Sequence, residues 1–163
     1  MFAGIKAVVM DVDGVLTDGT FWWGTNGEEF KRFCFADVTG ISLARQAGLH
    51  VALVSGESSA TGMALVQRFA DKLKVTDVHK GCHDKAKAVC QIASQQQLQL
   101  SEVCFIGDDV IDLPAMTVVG LAAAPADAQP GVRAKAHFVT SRNGGQGAVR
   151  EVVDAILAQQ SPP

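Results

Sequence analysis

Residues 8–19 read VVMDVDGVLTDG. An unbroken apolar run, the pattern of a strand covered on both faces, stops at two acids, Asp11 and Asp13, with a glycine directly after them. A carboxylate taken out of water without a partner is costly. Two of them at the end of a buried strand therefore need a cation or a chemical task.

The rest of the chain repeats this pattern. Short apolar runs recur at residues 50–56 (HVALVSG), 75–79 (VTDVH), 103–108 (VCFIGD) and 120–125 (GLAAAP). Between them lie stretches with helical apolar spacing at 40–47, 60–73, 84–98 and 112–118, and a last helix is expected over 148–158. Strands alternating with helices at this rhythm give an α/β fold: a doubly wound, mostly parallel sheet with helices on both faces. A chain of 163 residues fits a single domain, 1–163, with a flexible tail expected at 159–163.

Composition excludes several classes of function. With 48% hydrophobic and 19% charged residues and a net charge of -3, the composition argues against a strong electrostatic attraction to nucleic acid or anionic membranes. No apolar stretch is long enough to span a bilayer and no signal-peptide pattern is present, so a cytoplasmic protein is expected. The cysteines, Cys34, Cys82, Cys90 and Cys104, form no CxxC pair; Cys90 and Cys104 are expected as small core residues.

One segment departs from the α/β rhythm. Residues 19–35, GTFWWGTNGEEFKRFCF, read as two strands joined by a turn at 24–27, and hold both tryptophans and four of the eight phenylalanines. Such an aromatic hairpin needs covering, either by its own sheet or, as favoured here, by another subunit.

Ligands of a doubly wound sheet bind beyond the carboxyl ends of its strands. The first strand delivers Asp11 and Asp13 there, two apart and so on one side of an extended chain. The second delivers Ser55, Gly56 and Glu57. Lys85 opens the helix after the third strand, and GDDVIDLP brings Asp108, Asp109 and Asp112. Singly these are weak signals: Ser55 could satisfy a turn, Lys85 could be a solvated helix residue, and Asp112 could serve a helix dipole. Asp18 and Asp37 read as turn or cap residues. Together, clustered carboxylates without histidine select Mg²⁺, and an amine with a hydroxyl and backbone amides suits phosphoryl oxygens. The combination points to phosphoryl transfer.

The segments DVDGVLTDG, VSGE, GCHDK and GDDVIDLP resemble the four motifs of the haloacid dehalogenase superfamily, in order. With GEEFKRF and GGQGAVREV added, nearly the whole chain resembles the 3-deoxy-D-manno-octulosonate 8-phosphate phosphatase family. The resemblance implies a haloacid dehalogenase-like Rossmannoid fold and a Mg²⁺-dependent phosphatase. Asp11 would be the nucleophile, forming an aspartyl-phosphate, and Asp13 the general acid and base. Mg²⁺ would sit on Asp11, the backbone carbonyl of Asp13 and Asp108, with Asp109 and Asp112 orienting them. Ser55, Gly56 and Lys85 would hold the phosphoryl group. The gaps between motifs leave no room for a cap domain. The family closes its sites with neighbouring subunits instead, in homotetramers built around the hairpin, and its glycine-rich loop implies Arg142 and Arg150 as anion contacts.

Two positions depart from that family: Glu57 and Ser42 stand where it usually carries arginine. An acid at position 57 resembles phosphatases of 2-keto-3-deoxynononate 9-phosphate. The expected substrate is a phosphorylated 2-keto-3-deoxy sugar acid, the eight-carbon one ahead of the nine-carbon one, in lipopolysaccharide biosynthesis. A phosphotransferase on the same scaffold is a further alternative. So is a non-catalytic assembly module like those fused to acylneuraminate cytidylyltransferases, against which the intact acids, Ser55 and Lys85 count.

Overall fold

The first strand, β1 (Ala7–Met10), runs through the middle of a six-stranded parallel sheet. The structure, a computed structural model, describes residues 1–160. After β1 the chain forms a hairpin, β2 (Trp22–Trp23) and β3 (Glu29–Phe30), then α1 (Phe35–Gln46), β4 (His50–Val54), α2 (Ala60–Leu73), β5 (Asp77–His79) and α3 (Lys85–Gln95). It continues through β6 (Val103–Ile106), a 3₁₀ turn (Val110–Asp112), α4 (Leu113–Val118), β7 (Leu121–Ala124), α5 (Pro130–Arg133), β8 (Phe138–Val139) and α6 (Ala148–Gln160). The sheet order is β5-β4-β1-β6-β7-β8, so the chain winds outward from β1 on one side and then returns to wind outward on the other. The loops after β1 and β6 meet at that reversal, where doubly wound sheets bind ligands.

The unbroken apolar strands are explained by cover on both faces. Val8 and Met10 pack on one side with Ile41, Val66, Phe69, Val149 and Ile156, while Ala7 and Val9 pack on the other with Val89, Ile92, Met116 and Val132. Period-two alternation thus sorts one strand into two cores. No cap domain is inserted among the described residues, and none of their helices is long and apolar enough to cross a membrane.

Several boundaries differ from expectation. Helix α1 starts at Phe35, not at residue 40, and Asp37 in its first turn accepts backbone N–H groups of Gly147 (3.1 Å) and Arg150 (3.0 Å). This buried carboxylate caps the start of α6, so the cap reading of Asp37 is right in kind but serves a distant helix. The short elements α5 and β8 carry too little periodicity to be read from sequence. Helix α6 takes in residues 159 and 160, where a flexible tail was expected; the rest of that expectation, 161–163, lies outside the described residues. Cys104 is in the core as expected, but Cys90 is exposed: Val89 and Ile92 take the inward face of α3.

The hairpin forms as read, with Trp22 opposite Phe30 and Trp23 opposite Glu29. Its aromatic surface is open: Phe21, Trp22, Trp23 and Phe30 are all more than half exposed, and so is Phe35 beyond it. Only Phe33 turns inward, stacking on Phe69 with ring centroids 3.7 Å apart.

Candidate active site

Asp11 is the residue directly after β1, and its backbone N–H donates to the Ile106 carbonyl at 3.0 Å. It is therefore fixed against β6 at the point where the two strand-end loops part. Its side chain is buried: Oδ1 accepts the Val12 N–H at 2.7 Å, and Oδ2 pairs with Lys85 Nζ at 2.6 Å. The same ammonium lies 2.6 Å from Asp112 Oδ1, and both the lysine and Asp112 are out of solvent. Asp112 Oδ2 in turn accepts the backbone N–H groups of Asp108 (2.9 Å) and Asp109 (3.2 Å). One carboxylate thus fixes both the lysine and the loop that carries Asp108. Asp112 also directly precedes α4, the helix-end position read from the sequence.

Carboxylate oxygens of Asp11, Asp108 and Asp112 lie within 4.8 Å of one another. One ammonium cannot satisfy three acids. Burial, then the charge of Asp112, pushes Asp11 up to about 7 despite Lys85. Burial and the charges of Asp11, Asp112 and Asp109 push Asp108 up to about 8. Lys85 moves up as well, because the two acids outweigh the effect of its own burial. The ammonium is thus well satisfied and the carboxylates are not. Asp108 Oδ1 is buried without a hydrogen-bond partner. A hard divalent cation fits this donor set, since it would engage the orphaned oxygen and relieve the repulsion. Gly14, at φ +85°, is required here because a side chain at that position would run into the Asp108 carboxylate.

Asp13 does not join this cluster. Strand β1 ends at Met10, so the period-two argument no longer holds at residue 13, and the turn sends its carboxylate to Lys31 Nζ, 2.9 Å away. Thr17 Oγ1 approaches Asp13 Oδ1 at 3.5 Å and accepts the N–H groups of Gly14 and Gly19, bracing the turn. Ser55 is buried directly after β4; its hydroxyl accepts the Glu57 N–H at 3.1 Å, and its backbone is tied to His79 and Cys82. Gly56 follows on this loop, and Glu57 reaches Lys31 at 3.5 Å. Asp109 lies at the start of the 3₁₀ turn, accepting the Val110 N–H.

The remaining candidates lie apart. Ser42 accepts a hydrogen bond from Gln46 on α1 and lines a groove with Arg45, Lys72 and Lys74. Arg150 pairs along α6 with Asp154 at 2.8 Å. Arg142 is exposed, on the segment that leads into the glycine-rich loop. That loop packs on the nucleophile turn: Gly145 N–H donates to the Val15 carbonyl at 3.0 Å, and a side chain at Gly144 would strike the Gly14 carbonyl. Sequence reading missed Lys31 altogether. The available signal was alternation in the second hairpin strand, where Glu29, Lys31 and Phe33 are two apart and Phe33 turns inward.

Acids at the ends of two adjacent parallel strands, a lysine bridging them and a hydroxyl on a third loop make a site for phosphoryl chemistry. A family described as haloacid dehalogenase-like hydrolase matches residues 57–152. A 3-deoxy-D-manno-octulosonate 8-phosphate phosphatase of Yersinia pestis is 41% identical over 158 residues, covering 97% of this chain and 82% of that protein. The crystal structure of the corresponding phosphatase from Moraxella catarrhalis, in complex with magnesium ion, phosphate ion and a KDO molecule, is 34% identical. It superposes with a TM-score of 0.91 over 97% of this chain and 88% of the other. A cobalt-bound Haemophilus influenzae phosphatase gives 36% identity and a TM-score of 0.90, with 98% and 91% covered. The chain belongs to the 3-deoxy-D-manno-octulosonate 8-phosphate phosphatase family of the haloacid dehalogenase-like hydrolases, and is a phosphoric monoester hydrolase.

Proposed function

We propose that this single-domain protein hydrolyses 3-deoxy-D-manno-octulosonate 8-phosphate in a Mg²⁺-dependent reaction that passes through an aspartyl-phosphate on Asp11. The observation that carries the reading is the buried triad of Asp11, Asp108 and Asp112, with one orphaned carboxylate oxygen and one shared lysine. Family membership over nearly the whole chain supports the substrate. Mg²⁺ would be held by Asp11, Asp108 and the Asp13 carbonyl, oriented by Asp109 and Asp112, and would supply charge neutralisation at the phosphoryl oxygens.

Asp11 attacks phosphorus while the ester P–O bond breaks, and the proton of the Asp13 carboxyl passes to the departing sugar oxygen. Asp13, now a carboxylate, takes a proton from water. The resulting hydroxide attacks phosphorus, the Asp11–phosphorus bond breaks, and inorganic phosphate leaves. Lys85, Ser55 and the Gly56 backbone hold the transferring group, where charge spreads over three oxygens. Lys85 then exchanges part of its pairing with Asp11 for the phosphoryl oxygens and remains anchored by Asp112.

The exposed hairpin aromatics support assembly into a homotetramer through residues 19–35, which would also shield a site that has no cap. Four unpaired cysteines support a reducing, cytoplasmic setting. A nine-carbon keto-acid phosphate is the second reading, favoured by one observation: the acid Glu57 beside Asp13's partner Lys31. The deciding experiment is phosphate release from a panel of sugar phosphates with and without Mg²⁺, for wild type and Asp11→Asn. Selective release from the eight-carbon substrate, lost on chelation and in the variant, is expected. Preference for the nine-carbon ester would transfer the assignment to the second reading, and no release from any ester would overturn both.

A further inference from the structure

Lys31 arrives from the hairpin and not from the sheet, yet its ammonium ends against Asp13. Its side chain is only 4% exposed, so it is no ordinary surface charge. It lies 2.9 Å from Asp13 Oδ1 and 3.1 Å from Oδ2, and so straddles both oxygens of that carboxylate. On its other sides Glu57 stands at 3.5 Å and Glu29 at 3.7 Å. Three acids around one covered cation hold it in place, and a held cation fixes what it touches. The other contact to the Asp13 side chain is the longer one from Thr17, at 3.5 Å.

We propose that Lys31 is a positioning residue of the reaction: anchored by Glu29 and Glu57, its ammonium fixes the rotamer of Asp13, keeping its hold on one oxygen when the other takes up the proton, so that the protonated oxygen is aimed at the leaving oxygen of the substrate. This rests on the phosphatase reading above and adds a role that the sequence motifs do not supply. It also ties the hairpin to the chemistry, since Glu29 and Lys31 are both carried by its second strand and the residues that follow it.

The role can be separated from a structural one by choice of leaving group. A sugar alkoxide leaves only with a proton, whereas p-nitrophenolate departs as a stable anion and makes little use of the acid. Because kcat/KM covers only the steps through the first phosphoryl transfer, the later use of Asp13 as a base does not enter it. Wild type, Lys31→Met and Lys31→Arg are compared on 3-deoxy-D-manno-octulosonate 8-phosphate and on p-nitrophenyl phosphate, with Mg²⁺ present and Tm recorded. Lys31→Met is expected to lose at least about thirtyfold in kcat/KM on the sugar ester and less than about threefold on the aryl ester, with Lys31→Arg recovering part of the difference. Equal losses on both esters, or no loss on either, would overturn the role of Lys31 while leaving the phosphatase assignment intact. A wild type that releases phosphate from neither ester would instead sink that assignment and this inference with it.

Discussion

Lys85 and Asp112 are paired at 2.6 Å in a part of the molecule that water does not reach. The pair joins a helix on one side of the sheet reversal to a turn on the other, and Asp11 closes on the same ammonium. Removing the cation leaves two buried carboxylates facing each other. Lys85→Met is therefore expected to lower stability by about 3–5 kcal/mol, the cost of breaking a buried pair, as well as to abolish turnover. Urea denaturation without divalent cation measures it; a loss below about 1 kcal/mol would mean that solvent already reaches the site.

Asp11→Asn reverses that balance. It removes the proposed nucleophile, so activity should fall by at least about a thousandfold, yet it also removes a charge that burial and Asp112 oppose. The variant is expected to melt no lower than the wild type when Mg²⁺ is absent. Calorimetry on the two proteins checks this, and a clear drop in Tm would show that the Lys85–Asp11 pair stabilises the fold on balance.

The same acids make stability depend on pH. Asp11 and Asp108 go from an ordinary value of 3.8 when unfolded to about 7 and about 8 when folded. Between those limits the native state binds more protons than the unfolded one, so their stabilising contribution is complete below about pH 4 and is lost as pH rises through 7 and 8. In chelator, Tm should fall from pH 6 to pH 8.5, and saturating Mg²⁺ should flatten or reverse the slope. A rise in Tm over this range in chelator would contradict the assigned shifts.

Asp37→Ala leaves the N–H groups of Gly147 and Arg150 without their acceptor and uncaps α6. A cost of about 2 kcal/mol is expected, with Asp37→Asn recovering part of it. The displaced loop is the one that backs the nucleophile turn, so kcat should fall along with stability.

Hairpin surface is tested by Trp22→Ser with Trp23→Ser. Both residues are about 70% exposed, and the change should convert the proposed tetramer into smaller species in sedimentation experiments while leaving the fold intact. A wild type that sediments as a monomer at micromolar concentration would refute the assembly.

The parallel sheet was legible because strands covered on both faces carry a continuous apolar signal, and the acids stood out because they interrupt it. Asp11, Asp108 and Lys85 could be found this way, each lying next to a strand or at the head of a helix. Lys31 and the capping role of Asp37 could not, because both depend on contacts across the fold, and Asp37 serves a helix far along the chain. The position of the Asp13 carboxylate was misjudged for a local reason: the strand ends at Met10, two residues before Val12, where its apolar pattern suggested.

The placement of β1 between β4 and β6 has a consequence for biosynthesis. The residue that would attack phosphorus is translated well before the strands that flank it, and before the glycine-rich loop that supports its turn. A nascent chain therefore carries its nucleophile without Lys85 until about half of these residues are made, and without Asp108 until about two thirds are. Catalytic competence should switch on late and all at once, when α6 docks, and not grow in proportion to the length of chain made.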